Sequence, residues 1–234
     1  MLEEILRGGF AAFALPLDET ALTRYRLYAD CLAETNKVMN LTAIEGEDEV
    51  ARLHFLDSAA LLTLADFSGR SVIDVGTGAG FPGLAMKIAC PSLTLTLLDG
   101  LDKRVGFLRG TCGKLGLDDV TCIHARAEEI PQEMRERFDF AVSRAVARLS
   151  QLCELCLPYV RVGGAFLAMK GTEHAEELEQ ARRAVRLLGG ESECERDYTI
   201  PGTEIAHSVI VIRKTAPTPE KYPRRWAQIK KQPL

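Results

Sequence analysis

The sequence predicts an α/β fold: a mostly parallel, seven-stranded sheet covered by helices on both faces, with a helical cap in front of it. Three observations carry this expectation. The apolar run Ser71-Val72-Ile73-Asp74-Val75 breaks into Gly76-Thr77-Gly78-Ala79-Gly80-Phe81-Pro82-Gly83 ahead of a helical pattern, as a buried strand does when it turns abruptly into a helix. Downstream, β-rich and helical stretches alternate, which implies parallel strands joined by helical crossovers. Finally, Gly189-Gly190 ends the last helical stretch, and two further strand patterns follow around Ile200-Pro201-Gly202, the pattern of a closing hairpin.

Taken in order, residues 1 to 66 form the cap. Leu2, Ile5 and Leu6, then Leu22, Tyr25, Leu27, Tyr28 and Leu32, then Val50, Leu53, Leu56 and Leu61 recur near helical spacing. The turn formers of Asn36-Lys37-Val38-Met39-Asn40-Leu41-Thr42 read as a loop interrupting it. Strands are expected at 71 to 75, 93 to 99, 119 to 124, 138 to 143 and 164 to 169, with helices at 102 to 115, 148 to 159 and 173 to 188. Closing strands are expected at 193 to 199 and 206 to 212. The chain thus divides into a cap (1–66), a ligand-binding core (67–214) and a tail (215–234).

Composition narrows the class. At 234 residues, 47% apolar and 26% charged, the chain suits one full core with an appendage. It has no run of eighteen apolar residues, and Met1-Leu2-Glu3-Glu4 carries acids where a signal peptide needs positive charge, so a soluble, cytoplasmic protein without membrane contact is expected. Seven scattered cysteines imply reduced thiols, with Cys153-x-x-Cys156 as small buried residues on a helix and no metal site. The net charge of −4 is uneven. From Arg213 onward seven cations face the single acid Glu220, a local +6 that leaves −10 for everything before it. Such a tail suits a polyanion, though solvated basic termini are common.

The glycine turn points to a nucleotide-type cofactor. Glycine permits positive φ and a close backbone approach, and the N–H groups of the helix that follows face the ligand. Two patterns overlap. Gly78-x-Gly80-x-x-Gly83 satisfies the dinucleotide fingerprint, whereas Asp74-x-Gly76-x-Gly78-x-Gly80 is that of S-adenosylmethionine enzymes. Asp99 ends the next strand about twenty residues on, where a carboxylate accepts ribose hydroxyls in both classes. A short-chain reductase would also need a tyrosine and lysine four apart, and none of Tyr25, Tyr28, Tyr159, Tyr198 and Tyr222 has that partner. Methyl transfer leads, with an NAD-linked reductase and a non-catalytic RNA binder as alternatives.

Several strings then accumulate: His54-Phe55-Leu56-Asp57-Ser58, Leu98-Asp99-Gly100-Leu101-Asp102-Lys103-Arg104-Val105, Arg126-Ala127-Glu128-Glu129, Ser143-Arg144-Ala145-Val146-Ala147, Met169-Lys170-Gly171 and Pro217-Thr218-Pro219-Glu220-Lys221-Tyr222-Pro223-Arg224-Arg225. Together, from about Asn36 to the terminus, the chain resembles the RsmG (GidB) family of bacterial small-subunit ribosomal RNA methyltransferases. It departs from the family at Thr35, where tryptophan is frequent, and after Arg225, where Trp226-Ala227-Gln228-Ile229 replaces a stretch that commonly carries Gly and Pro.

The resemblance implies a Rossmann-like methyltransferase fold and methyl transfer from S-adenosylmethionine to N7 of a guanine in the 530 loop of 16S rRNA. The substrate would be that rRNA, the 30S subunit or its assembly intermediate, and nothing indicates an obligate protein partner. By motif position, cofactor contacts fall on Gly76, Phe81, Ala127, Glu128 and Arg144. Gly78 in the glycine turn and Asp99, from the ribose argument, are added to them. Guanine N7 carries a lone pair and no proton, so no catalytic acid or base is expected; alignment is the main requirement. Arg144 and Lys170, at the carboxyl ends of the fourth and fifth strands, are candidates to donate to guanine O6. Lys170 is also an RNA-binding candidate. So are Lys221, Arg224, Arg225, Lys230 and Lys231, which would meet phosphates. Trp226, the only tryptophan, suits either stacking on a base or a core position. His54 and Asn40 read as structural.

Overall fold

The computed structural model describes residues 1–144, 147–172 and 175–234. Ala145 and Val146 of the fourth-strand string, and positions 173 to 174 of the last expected helix, lie outside them.

The sheet is assembled from β1 (Ser71–Val75), β2 (Thr94–Asp99), β3 (Val120–His124), β4 (Phe138–Arg144), β5 (Val160–Gly171), β6 (Gly190–Thr199) and β7 (Ala206–Lys214) in the order β3-β2-β1-β4-β5-β7-β6. The first five strands are parallel, and β7 runs antiparallel to both β5 and β6. This is the expected arrangement of five parallel strands closed by a hairpin. The order reverses between β2-β1 and β1-β4. That is the switch point at which ligands settle beyond the strands' carboxyl ends.

Why the strands sit where they do is visible in their alternation. Val72, Leu97, Val142, Leu167 and Val211 join the apolar cluster on one face, while Ile73, Val75, Leu98, Ala141, Phe166, Ala168 and Ile210 join the cluster on the other. A strand apolar on both sides must be covered twice. One covering layer contains α5 (Leu149–Cys156) and α6 (Ala175–Leu187), and there Cys153 and Cys156 are buried, free helix residues as expected. The other contains α1 (Leu2–Ala12), α2 (Glu19–Met39), α3 (Gly83–Ala89) and α4 (Asp102–Leu115). A seventh helix, α7 (Trp226–Lys231), ends the chain.

The cap shares its core with the sheet. Leu6, Phe10, Tyr25, Tyr28 and Phe55 belong to the same cluster as Val72 and Leu95. The buried Tyr25 hydroxyl donates to the Ala85 carbonyl at 2.8 Å and that of Tyr28 to Ala79 at 2.6 Å, so two phenols place α2 against the glycine turn and the helix after it. The expected loop at 36 to 42 is a correction. Helix α2 continues to Met39 and stops at Asn40 in the left-handed region, φ 48°, which asparagine tolerates. Asn36 then clasps the returning chain, donating to the Thr42 carbonyl at 2.9 Å and accepting from its N–H at 3.0 Å. Beyond it, helical turns at Glu47–Glu49, a π-helical Val50–Leu56, Asp57–Ala59 and Ala60–Thr63 follow one another. Among the described residues no helix is long and apolar enough to cross a membrane.

Candidate active site

A cleft of about 600 Å³ opens at the carboxyl ends of β1, β2, β3 and β4, within the usual size of small-ligand sites. The glycine turn forms its floor, and its four glycines divide into two pairs. Gly76 (φ 72°) and Gly78 (φ 62°) line the cleft, and a Cβ on Gly78 would meet nothing within 4 Å. Gly80 and Gly83 serve packing: a Cβ on Gly80 would collide with the Tyr28 hydroxyl, and one on Gly83 would lie 2.8 Å from the side chain of Asp74. The sequence assigns ligand contact to Gly76 and Gly78, and both line this cleft.

Asp74 organises the turn from beneath. One carboxylate oxygen accepts from the Thr77 hydroxyl at 2.7 Å and the Gly83 N–H at 2.8 Å, while the other has no partner. Burial pushes its pKa up to about 6 against those two hydrogen bonds. Asp99 closes the far side. Its oxygens accept from the N–H groups of Gly78 and Leu101, both at 2.9 Å. Each oxygen keeps a lone pair for a further donor. Ala127 and Glu128 line the wall beyond β3, where the Tyr159 hydroxyl donates to the Ala127 carbonyl at 3.0 Å.

These residues fit the adenosyl group of S-adenosylmethionine. An open glycine turn, a buried acid with spare acceptor capacity and an apolar wall that includes Leu98, Leu101 and Leu155 are the features a flat base and a vicinal diol require.

The fourth wall is a polar cluster that local sequence reasoning did not foresee. Phe81 is buried and stacks on His54, ring centroids 4.2 Å apart, with the Arg144 guanidinium 5.0 Å above the Phe81 ring. Arg144 donates to the Leu53 carbonyl and to Asp57 Oδ2, each at 3.0 Å, and to His54 Nδ1 at 2.9 Å. A guanidinium only donates, so His54 Nδ1 is bare and its Nε2–H donates to the Thr42 hydroxyl at 2.8 Å. Burial, with Arg144 alongside, lowers the His54 pKa to about 3 and keeps the ring neutral. Asp57 also accepts from the Tyr198 hydroxyl at 2.6 Å and from His207 Nδ1 at 2.7 Å. Burial alone would raise the Asp57 carboxyl, but hydrogen bonding by His207, the Arg144 charge and Tyr198 outweigh it and hold the group below its usual range. The same Asp57 contact raises the His207 pKa.

His54 and Arg144 also line a second cavity of about 500 Å³, with Lys170, Met169, Ile205 and His207. Lys170 reaches it from the end of β5, donates to the Ala147 carbonyl at 2.7 Å and pairs with Glu177 at 2.7 Å. Arg144 and Lys170, expected at the carboxyl ends of the fourth and fifth strands, both line this cavity.

The tail differs from a row of free cations. Lys221, Arg225, Lys230 and Lys231 are exposed, but Arg224 is half-buried and spent on Glu154, which is fully buried on α5. Its Nε and Nη2 donate to the carboxylate at 2.8 and 2.6 Å and its N–H at 2.9 Å. Arg224 thus anchors the tail. Among the described residues no group of acids, histidines and cysteines could hold a metal ion.

Comparison with known proteins agrees with this geometry. A family model described as "rRNA small subunit methyltransferase G" matches residues 21–197. A protein of that name from Acetivibrio thermocellus is 43% identical over all of this chain and 97% of its own length, and one from Alkaliphilus metalliredigens is 45% identical over 98% of each. Among solved structures, a putative methyltransferase from Bacillus halodurans C-125 superposes on 68% of this chain and 99% of its own with a TM-score of 0.54 at 15% identity. M. jannaschii TYW2 in complex with AdoMet covers 63% of this chain and 70% of its own, with a TM-score of 0.52 at 12% identity. Both share the Rossmann-like fold.

Proposed function

The chain belongs to the rRNA small subunit methyltransferase G family, and from that premise we propose that it transfers a methyl group from S-adenosylmethionine to N7 of a guanine in the 530 loop of 16S rRNA, within the 30S subunit or its assembly intermediate. The supporting observation is that two cavities meet at one pair of side chains. The cleft over the glycine turn and the cavity beside Lys170 share His54 and Arg144, which suits a cofactor on one side and an acceptor base on the other.

When bound, S-adenosylmethionine supplies an electrophilic methyl group on a sulfonium leaving group. Guanine N7 needs no deprotonation. Beside the junction His54 is neutral with both ring nitrogens hydrogen-bonded, and Asp57 is shared among three donors. What these residues do is orient. Gly76, Gly78, Phe81, Asp99, Ala127 and Glu128 hold the cofactor, while Arg144 and Lys170 donate to guanine O6 and leave N7 open. Methylation makes the base cationic, which a purely cationic pocket would oppose. Asp57 offsets Arg144 there, and Glu177 offsets Lys170. Outside the site, Lys221, Arg225, Lys230 and Lys231 meet phosphates.

The test is transfer of labelled methyl to unmodified 30S subunits, to naked 16S rRNA and to an unrelated RNA, with the product mapped by cleavage at N7-methylguanine. Label at a single 530-loop guanine is expected. Label elsewhere, or none from protein that binds the cofactor, overturns the assignment.

A further inference from the structure

The single tryptophan of the chain lies in the cofactor cleft. Trp226, eight residues from the C-terminus, lines the cavity together with Leu155 of α5 and with Ala127 and Glu128 beyond β3. It also packs into the apolar cluster that contains Leu98, Ala125, Ala127 and Leu155. The polar cluster of Thr42, His54 and Arg144 comes from the cap and β4. The indole therefore belongs to the apolar end of the cleft, the end suited to a flat base.

Its position is fixed from both sides. After β7 the chain runs past the ends of α6 and α5 as a strap held at successive points. Lys214, fully buried, donates to the Leu157 carbonyl and the Thr218 hydroxyl at 2.7 and 2.6 Å. Arg135 grips the strap's backbone, donating to the carbonyls of Thr218 and Tyr222, both at 2.8 Å. Two residues before Trp226, Arg224 is bound to Glu154. Three residues after it, Ile229 is fully buried against the same layer. An aromatic ring bracketed in this way has little freedom left to lose when a ligand arrives.

Resting on the cofactor reading above, we propose that Trp226 is a cofactor-binding residue and that the C-terminal strap supplies the wall of the cleft that covers the adenine ring. The tail then has two faces. Inward, Arg224, Trp226 and Ile229 complete the small-molecule site; outward, Arg225, Lys230 and Lys231 remain exposed to solvent.

With one tryptophan in the chain, the protein carries its own reporter. S-adenosylhomocysteine is titrated into wild-type protein by calorimetry and by tryptophan emission in parallel. The emission is expected to change and to saturate at the calorimetric Kd. Trp226→Ala is expected to weaken S-adenosylhomocysteine roughly tenfold, the order of one aromatic stacking contact, and Trp226→Phe to recover most of that loss. The wild-type titration needs no variant, so a misfolded alanine form leaves the test intact. Calorimetric binding with no change in emission, together with affinity within twofold for the alanine variant, overturns the inference and leaves the cofactor reading standing. No binding of S-adenosylhomocysteine to the wild type overturns both.

Discussion

Substituting Asp57 by asparagine tests whether the polar cluster is held by charge. Asp57 is 1% exposed, and its carboxylate accepts from Arg144 at 3.0 Å, Tyr198 at 2.6 Å and His207 at 2.7 Å. Asparagine keeps the shape, removes the charge and turns an amide N–H₂ toward one or more of these donors. The Arg144 side chain, 17% exposed, is left without its counter-ion. Removing one partner of a buried pair costs about 3–5 kcal/mol.

The loss should depend on pH, and its sign follows from the two shifts. Asp57 lies below its ordinary value, so its contribution is present above the unfolded carboxylate range and disappears as pH falls through the depressed folded value. His207 is raised, so its contribution is complete below about 6.5 and disappears as pH rises through the raised folded value. The wild type should therefore exceed Asp57→Asn most at about pH 5.5 and less at about pH 9, where the Arg144 and Tyr198 contacts remain. Urea unfolding of both proteins at the two pH values measures the difference. A deficit below about 1 kcal/mol, or one equal at both pH values, refutes the argument.

Three further outcomes are expected. Arg224→Ala should destabilise the fold by about 3–5 kcal/mol, because Glu154 is left buried and unpaired, while the salt dependence of RNA binding stays as it was. Lys230→Ala with Lys231→Ala should do the reverse, flattening the slope of log affinity against log salt by about one to two units with unchanged unfolding midpoints; filter binding across a salt series separates the two. Asp99→Ala should remove the acceptor for the Gly78 and Leu101 N–H groups and weaken S-adenosylhomocysteine by at least about tenfold, or about 1.4 kcal/mol, in calorimetry, with RNA affinity unaltered. Unchanged cofactor affinity would mean the ribose assignment is wrong.

Much of this was legible because strands buried on both faces leave a local mark. Ser71–Val75 and Asp102–Leu115 run between the residues the pattern predicts. The fifth strand begins at Val160, not 164, because Gly163 (φ 85°) and Gly164 break its alternation without ending its pairing. That Gly76, Gly78 and Asp99 line one cleft was legible because strand, turn and following strand lie within a short stretch of chain. The cluster at Asp57 was not. Its partners Arg144, Tyr198 and His207 lie 87, 141 and 150 residues away, and nothing local marks a contact made only when the cap, β4 and the closing hairpin converge. The only available signal was the three-residue spacing of His54 and Asp57, which sets both on one side of a helical turn. The pairing of Arg224, expected only to meet phosphates, left no local mark for the same reason: Glu154 lies 70 residues earlier.

β6 lies at one of the two edges of the sheet, where it pairs with β7. An open strand edge is a template on which a second chain can build. Within that strand stand Glu191, Glu193, Glu195 and Asp197, all exposed. Two copies approaching edge to edge would bring these acidic strands together, a repulsion that the Arg213–Glu193 pair at 2.8 Å offsets only in part and that works against aggregation when the protein is concentrated or newly made.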